Sequence, residues 1–172
     1  RVWTGKQALE HKLIDELGLT TSSTNPSCNS LCDGELIAEV SGGTRPYTYQ
    51  WFECGTNNPV AGANDSVFSS ACEGDYYVVV NDDNGCTIDN STNCESLIEP
   101  TPIVSNLVST QDESCPGACN GLYQITISGG TPGYTVNWQD EPGGNPLAGT
   151  DTITTNLCVG DYSYIVEDNN GC

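Results

Sequence analysis

The sequence predicts an all-β protein of tandem β-sandwich repeats, preceded by one short α-helix and ending in a second repeat that lacks its last strand. Three observations predict this. A stretch of sequence recurs at an offset of 87 residues, apolar residues alternate at period two in short runs, and ten cysteines stand among Gly, Asn, Ser and Thr.

The first element is set apart by charge. Arg1, Lys6 and Lys12 balance Glu10, Asp15 and Glu16 over residues 1–20, whereas the other 152 residues hold 20 acidic side chains and a single basic one, Arg45. So sharp a break marks a module boundary, and residues 1–20 are read as a separate amphipathic segment. Thr4 with Gln7 three residues on makes a capping box, Ala8, Leu9, Leu13 and Leu17 fall at helical spacing, and Gly18 suits a helix stop. The Arg1–Gly18 stretch resembles the carboxyl-terminal end of the signal peptide peptidase A (SppA) family, which implies a peptidase-like domain upstream. That family's serine and lysine have no counterpart here, so nothing catalytic carries over. The only histidine, His11, has no nucleophile or orienting carboxylate at a recognisable spacing and reads as a solvent-facing helix residue.

Residues 21–102 form the first predicted repeat and residues 103–172 the second. Ser27-Cys28 and Cys32-Asp33-Gly34 match Ser114-Cys115 and Cys119-Asn120-Gly121. Ser41-Gly42-Gly43-Thr44 matches Ser128-Gly129-Gly130-Thr131, Tyr47 matches Tyr134, and Trp51 matches Trp138. After one lost residue the offset becomes 86, pairing Cys72-Glu73-Gly74-Asp75-Tyr76 with Cys158-Val159-Gly160-Asp161-Tyr162, and Asn84-Gly85-Cys86 with Asn170-Gly171-Cys172.

Within each copy the strands follow in order. Leu36, Ala38 and Val40, like Tyr123, Ile125 and Ile127, put one apolar face on a half-buried strand. A Ser-Gly-Gly-Thr turn leads to an aromatic strand, Tyr47–Phe52 or Tyr134–Trp138. An irregular polar stretch follows. Tyr76, Val78 and Val80, or Tyr162, Tyr164 and Val166, make the next alternating strand. It ends in Asn-Gly, read as a type I′ hairpin turn with positive φ at both central residues. Tryptophan on the third strand and tyrosine opening the penultimate one fit an immunoglobulin-like sandwich. Glu99-Pro100-Thr101-Pro102 reads either as a stiff join between copies or as an ordinary loop.

The formal net charge of −19 excludes phosphate-neutralising nucleic-acid binding and attraction to an anionic membrane, and no apolar run is long enough to span a bilayer. Residues 21–172 contain no histidine and no lysine, so a serine or cysteine nucleophile would lack a nitrogen base in its own domain. Paired carboxylates of glycosidase type are not needed to explain the acidic residues, because these cluster in turns. Asp82, Asp83 and Asp168 with nearby carbonyls offer calcium the hard ligands it takes, without an EF-hand spacing. A solvated acidic turn accounts for the same residues. Tyr77 is read as facing away from the core, open either to carbohydrate or to cross-strand packing. Cys-x3-Cys occurs twice without a nearby histidine, which favours disulfides over zinc.

The cysteine start, Ser-Gly-Gly-Thr-x-Pro-Tyr-Thr-Tyr-x-Trp, Cys-x-Gly-Asp-Tyr and Asp-x-Asn-Gly-Cys resemble the SprB repeat of gliding and surface adhesins in Bacteroidetes. The resemblance covers about residues 27–100 and 114–172. Pro132-Gly133 departs from it, where the pattern prefers a proline before the tyrosine. It implies an extracellular, many-copy, non-catalytic segment, exported by type IX secretion, that serves adhesion or gliding at the outer-membrane surface. Its implied partners are a glycan or solid surface and further repeats of the same chain.

Connectivity is not fixed by sequence, since four cysteines allow three pairings. Cys32–Cys72 and Cys119–Cys158 are expected, because the start of the second strand and the turn before the penultimate strand share one end of a sandwich. By remainder, Cys28 would pair with Cys86 and Cys115 with Cys172. Cys54 and Cys94 have no counterpart in the second copy and are expected to bridge to each other.

Overall fold

The structure is a computed structural model that describes residues 16–147 and 152–172. The described residues form twelve strands and no helix. The helix expected from Thr4 onward, with His11, falls almost wholly on residues 1–15, outside the described residues. The chain divides into two compact units. One holds the described residues up to Pro26 together with Ser30–Glu99, and the other holds Ser27–Asn29 with Pro100–Cys172.

In the first unit β1 (Gly18–Thr24), β2 (Gly34–Ser41) and β4 (Val67–Ala71) form one antiparallel sheet in the order β1-β2-β4. β3 (Thr48–Glu53), β5 (Gly74–Asn81) and β6 (Thr87–Asp89) form a second, and β7 (Glu95–Leu97) also pairs with β5. β1 crosses the boundary drawn at residues 20 and 21. Gly18 opens a strand opposite Ser41 instead of closing a helix, because backbone pairing along β2 is invisible to a charge count.

Period two decides which side chains point inward. Along β2, Leu36 and Ala38 are buried while Glu39 is exposed. Along β5, Tyr76, Val78 and Val80 turn the same way. With Trp51 from β3, Ala71 from β4 and Leu97 from β7 they form one core that both sheets line. Full burial of a Leu or Val side chain contributes about 1.5–3 kcal/mol. The Trp51 indole nitrogen donates to the Asp65 carbonyl at 3.0 Å, so its one polar atom is satisfied.

The second unit repeats the plan. β8 (Val104–Gln111), β9 (Gly121–Ser128) and β11 (Ile153–Leu157) form a sheet in the order β11-β9-β8, and β10 (Thr135–Glu141) pairs with β12 (Asp161–Glu167). Its buried centre is Ile125, Val136 and Trp138, with Tyr123, Tyr164 and Val166 packed around it. Two readings of the sequence need correction. The irregular stretch after the aromatic strand contains a strand in each copy, β4 and β11. The Asn-Gly turn is not type I′, since Gly85 has φ +78° but Asn84 is not left-handed. The Gly85 amide donates to the Asp82 carbonyl at 3.0 Å and the Asp82 amide to the Cys86 carbonyl at 2.9 Å. This is a three-residue hairpin in which one glycine takes the left-handed position.

Candidate functional site

The best-defined polar construction in each unit is built around the aspartate of that hairpin. Asp82 is buried, and its Oδ2 accepts the Thr44 amide at 2.9 Å. Its Oδ1 accepts the amides of Asn84 at 3.0 Å and Cys86 at 2.8 Å. Asp168 does the same with Thr131 at 2.7 Å, Asn170 at 2.9 Å and Cys172 at 3.1 Å. Asn84 Nδ2 donates to Thr44 Oγ1 at 2.8 Å, and Asn170 Nδ2 to Thr131 Oγ1 at 3.0 Å. Each carboxylate thus clips the hairpin to the Ser-Gly-Gly-Thr turn. Amide donors favour the ionised form, so both carboxyls are held below the ordinary range. For Asp82 the Thr44 amide is the first cause and the Cys86 amide the second; for Asp168 they are Thr131 and Cys172.

This geometry bears directly on the calcium candidates. Asp82 and Asp168 spend both oxygens on backbone amides, and Asp83 lies exposed in the turn. Among the described residues no group of three or more His, Cys, Asp or Glu side chains is placed to hold a metal ion. Tyr77 is not open to solvent. It is buried, stacks on Phe52 at 5.1 Å between ring centroids, and donates its hydroxyl to Asn57 Oδ1 at 3.2 Å. The direct pairing of Phe52 with Tyr77 across β3 and β5 covers that face.

Cys32 bonds to Cys72, Cys119 to Cys158, and Cys54 to Cys94. The pairs expected by remainder are absent: Cys28 bonds to Cys172, while Cys86 and Cys115 are free and exposed. The reason is local. The Ser27–Asn29 stretch counts with the second unit, where the Asn170 side chain donates to the Ser27 carbonyl at 2.8 Å and the Asn29 side chain to the Pro100 carbonyl at 3.2 Å. The sequence marked Ser27 and Asn170 as repeat positions and Asp82 and Asp168 as calcium candidates or turn residues, but not the contact between the first two or the clip that the aspartates make. The repeat offset contained the signal, because it makes Asn84 and Asn170, and Ser27 and Ser114, equivalent.

A cavity of about 260 Å³ in the second unit is lined by Gly121, Tyr123, Leu157 and Tyr162 together with Asp112 and Glu113. In the first unit the glycine equivalent to Gly121 is Gly34, and a Cβ there would meet Leu97 Cδ1 at 3.0 Å and Pro26 Cδ at 3.2 Å. The cavity therefore corresponds to a core position that a leucine fills in the other copy, and its aromatic lining needs no ligand to explain it.

The geometry defines a class: an all-β repeat protein in which one disulfide-tied antiparallel unit occurs twice in tandem. The family model of the SprB repeat matches residues 20–53, from within β1 to the end of β3. The SprB repeat points to a cell-surface repeat domain of gliding and adhesin proteins. Among the curated proteins none matches. Nothing in these comparisons supports the resemblance of residues 1–18 to the SppA family. Among the described residues no helix is long and apolar enough to cross a membrane.

Proposed function

We infer that this chain is an extracellular segment of immunoglobulin-like repeats that serves attachment or gliding at the bacterial surface and has no catalytic activity. The observation that carries the reading is the SprB match over residues 20–53, the first three strands of a unit that the chain then repeats. The strand orders β1-β2-β4 and β3-β5-β6 correspond to the A-B-E and C-F-G halves of an immunoglobulin-like sandwich. Tyr76 and Tyr162 donate their hydroxyls to the carbonyls of Cys72 and Cys158, at 3.3 and 2.9 Å, in the manner of a tyrosine corner. Disulfides suit an oxidising exterior. A net charge of −19 keeps many displayed copies from clumping. Export by type IX secretion, and a glycan or solid surface as the partner, belong to the same reading.

The test is made on intact cells that carry the gene. Antibody against the chain labels them, external protease removes the label, and deletion of the gene reduces attachment to glass or gliding over it. Label that appears only after lysis would overturn the surface placement. Unchanged attachment and gliding in the deletion strain would overturn the adhesive role.

A further inference from the structure

The two free cysteines are not leftovers. By the repeat offsets Cys115 stands where Cys28 stands, and Cys86 stands where Cys172 stands, and Cys28 and Cys172 are bonded to each other. Each free cysteine also keeps the local setting of its bonded equivalent. The Ser27 hydroxyl contacts the Cys28 sulfur at 3.8 Å, and the Ser114 hydroxyl contacts the Cys115 sulfur at 4.0 Å. Asp168 Oδ1 accepts the Cys172 amide and Asp82 Oδ1 the Cys86 amide, in the same hairpin. A further, independent sign comes from the asparagines. Asn170 Nδ2 donates both to Thr131 Oγ1 within its own unit and to the Ser27 carbonyl of the incoming segment. Asn84 Nδ2 makes the first of these bonds, to Thr44 Oγ1 at 2.8 Å, and is otherwise exposed.

We propose that Cys86 with Asn84 is a docking site for the Ser-Cys segment that opens another copy of the repeat, and that Ser114-Cys115 is such a segment awaiting a site of the same kind. The partner of Cys86 is a residue equivalent to Cys28, and the partner of Cys115 is one equivalent to Cys172. The bond does not close one repeat on itself; it joins the start of one copy to the end of the copy that follows it. Successive bonds then enclose overlapping loops of chain. Tension along a series of copies is then shared between the bonds and the strands, and each bond limits how far its loop can extend, which is useful in a protein that is pulled. Each bond forms by exchange with a small-molecule or protein disulfide. Two thiols and one oxidised glutathione yield the protein disulfide and two reduced glutathiones; the glutathione S–S bond breaks, and both thiol protons leave on its sulfurs.

The test uses the full 172-residue chain, and the same chain extended at its carboxyl end by a further copy of residues 87–172. The added copy carries Cys94→Ser and Cys115→Ser, so that its last cysteine is the one new thiol without a partner inside that copy. Both are refolded in a glutathione redox buffer, alkylated, and mapped by mass spectrometry without reduction. The expected map of the extended chain shows Cys28 joined to Cys172 and Cys115 joined to the last cysteine of the added copy. In the shorter chain, Cys86 of one molecule joined to Cys115 of another, seen as a reducible ladder on gels, would place the docking segment on a second chain and also support the proposal. Cys28 joined to Cys86, Cys86 joined to Cys115 within one molecule, or Cys115 alkylated in both chains would overturn it. None of these outcomes depends on what the repeats adhere to.

Discussion

At the residue scale, the aspartate clip makes a prediction whose sign is fixed. Asp82 and Asp168 accept backbone amides only in the folded state, so their folded pKa values lie below the unfolded ones. Such groups contribute stability that is present above the ordinary carboxylate pKa of about 3.9 and is lost as pH falls through the folded value. Asp82→Asn keeps the shape but turns an NH₂ group toward an amide donor. Urea midpoints measured from pH 6 down to pH 2 should place the variant below wild type at pH 6, with the gap narrowing toward pH 2. Charge repulsion is nearly common to both proteins and largely cancels in the difference. A gap that stays constant at every pH would mean that the carboxylate's charge is not what holds the hairpin. A second residue shows how closely the turn is packed. Gly129 has φ +79°, and a Cβ there would lie 1.9 Å from the Pro102 carbonyl oxygen, whereas Gly171 has φ +77° and nothing within 4 Å. Gly171→Ala meets only the left-handed penalty of roughly 1–2 kcal/mol. Gly129→Ala adds displacement of backbone, and thermal or chemical unfolding should show a larger loss, on the order of 3 kcal/mol. Equal losses would show that the Pro102 segment yields freely.

At the element scale, what was legible in the sequence depended on which strands bury a face. β2, β5 and β9 were readable because Leu36 and Ala38, Val78 and Val80, and Ile125 fall at every second position of strands rich in apolar residues and enter the core. β1 and β8 were not, because Gly-Leu-Thr-Thr-Ser-Ser-Thr and Val-Ser-Asn-Leu-Val-Ser-Thr-Gln are edge strands that bury little. β4 and β11 hid for the same reason. The Cys32–Cys72 bond was legible because the start of the second strand and the turn before the penultimate one were expected at one end of a sandwich, and the pairing of Gly34 with Ala71 brings them together there. Cys28–Cys172 was not, because pairing was sought inside each copy while the true partner lies 144 residues away. Two bonds of the first unit offer a test of how disulfides stabilise it. Cys32–Cys72 and Cys54–Cys94 both span 40 residues. If loop closure in the unfolded chain is the main term, each double Cys→Ser variant should lose about 2–4 kcal/mol in denaturant unfolding, and the two losses should agree. Clearly unequal losses would assign the difference to the folded state, where Cys32–Cys72 ties β2 to β4 just beyond the Gly34–Ala71 end of their pairing.

At the scale of the whole molecule, one fold is written twice on a chain with 23 acidic and four basic residues. Among the described residues the first core gathers Leu36, Trp51, Val78 and Leu97, and the second Ile125, Val136 and Trp138. Surface repulsion therefore weighs against a modest apolar core in each unit. Screening shortens the reach of those charges from about 10 Å at 0.1 M salt to about 3 Å at 1 M. Melting temperature should accordingly rise with added sodium chloride over that range, and a flat response would mean that the carboxylates are too far apart to matter. Divalent cations separate screening from binding. Calcium and magnesium at equal millimolar concentration screen alike, but calcium accepts irregular oxygen cages that magnesium refuses. Because Asp82 and Asp168 already spend both oxygens on backbone amides, the two ions should raise the melting temperature equally. A larger rise with calcium alone, persisting in 1 M sodium chloride, would reveal a bound ion and require that these hairpins open their carboxylates to it. The same comparison on Asp83→Asn would then show whether the exposed turn carboxylate is the ligand that recruits it.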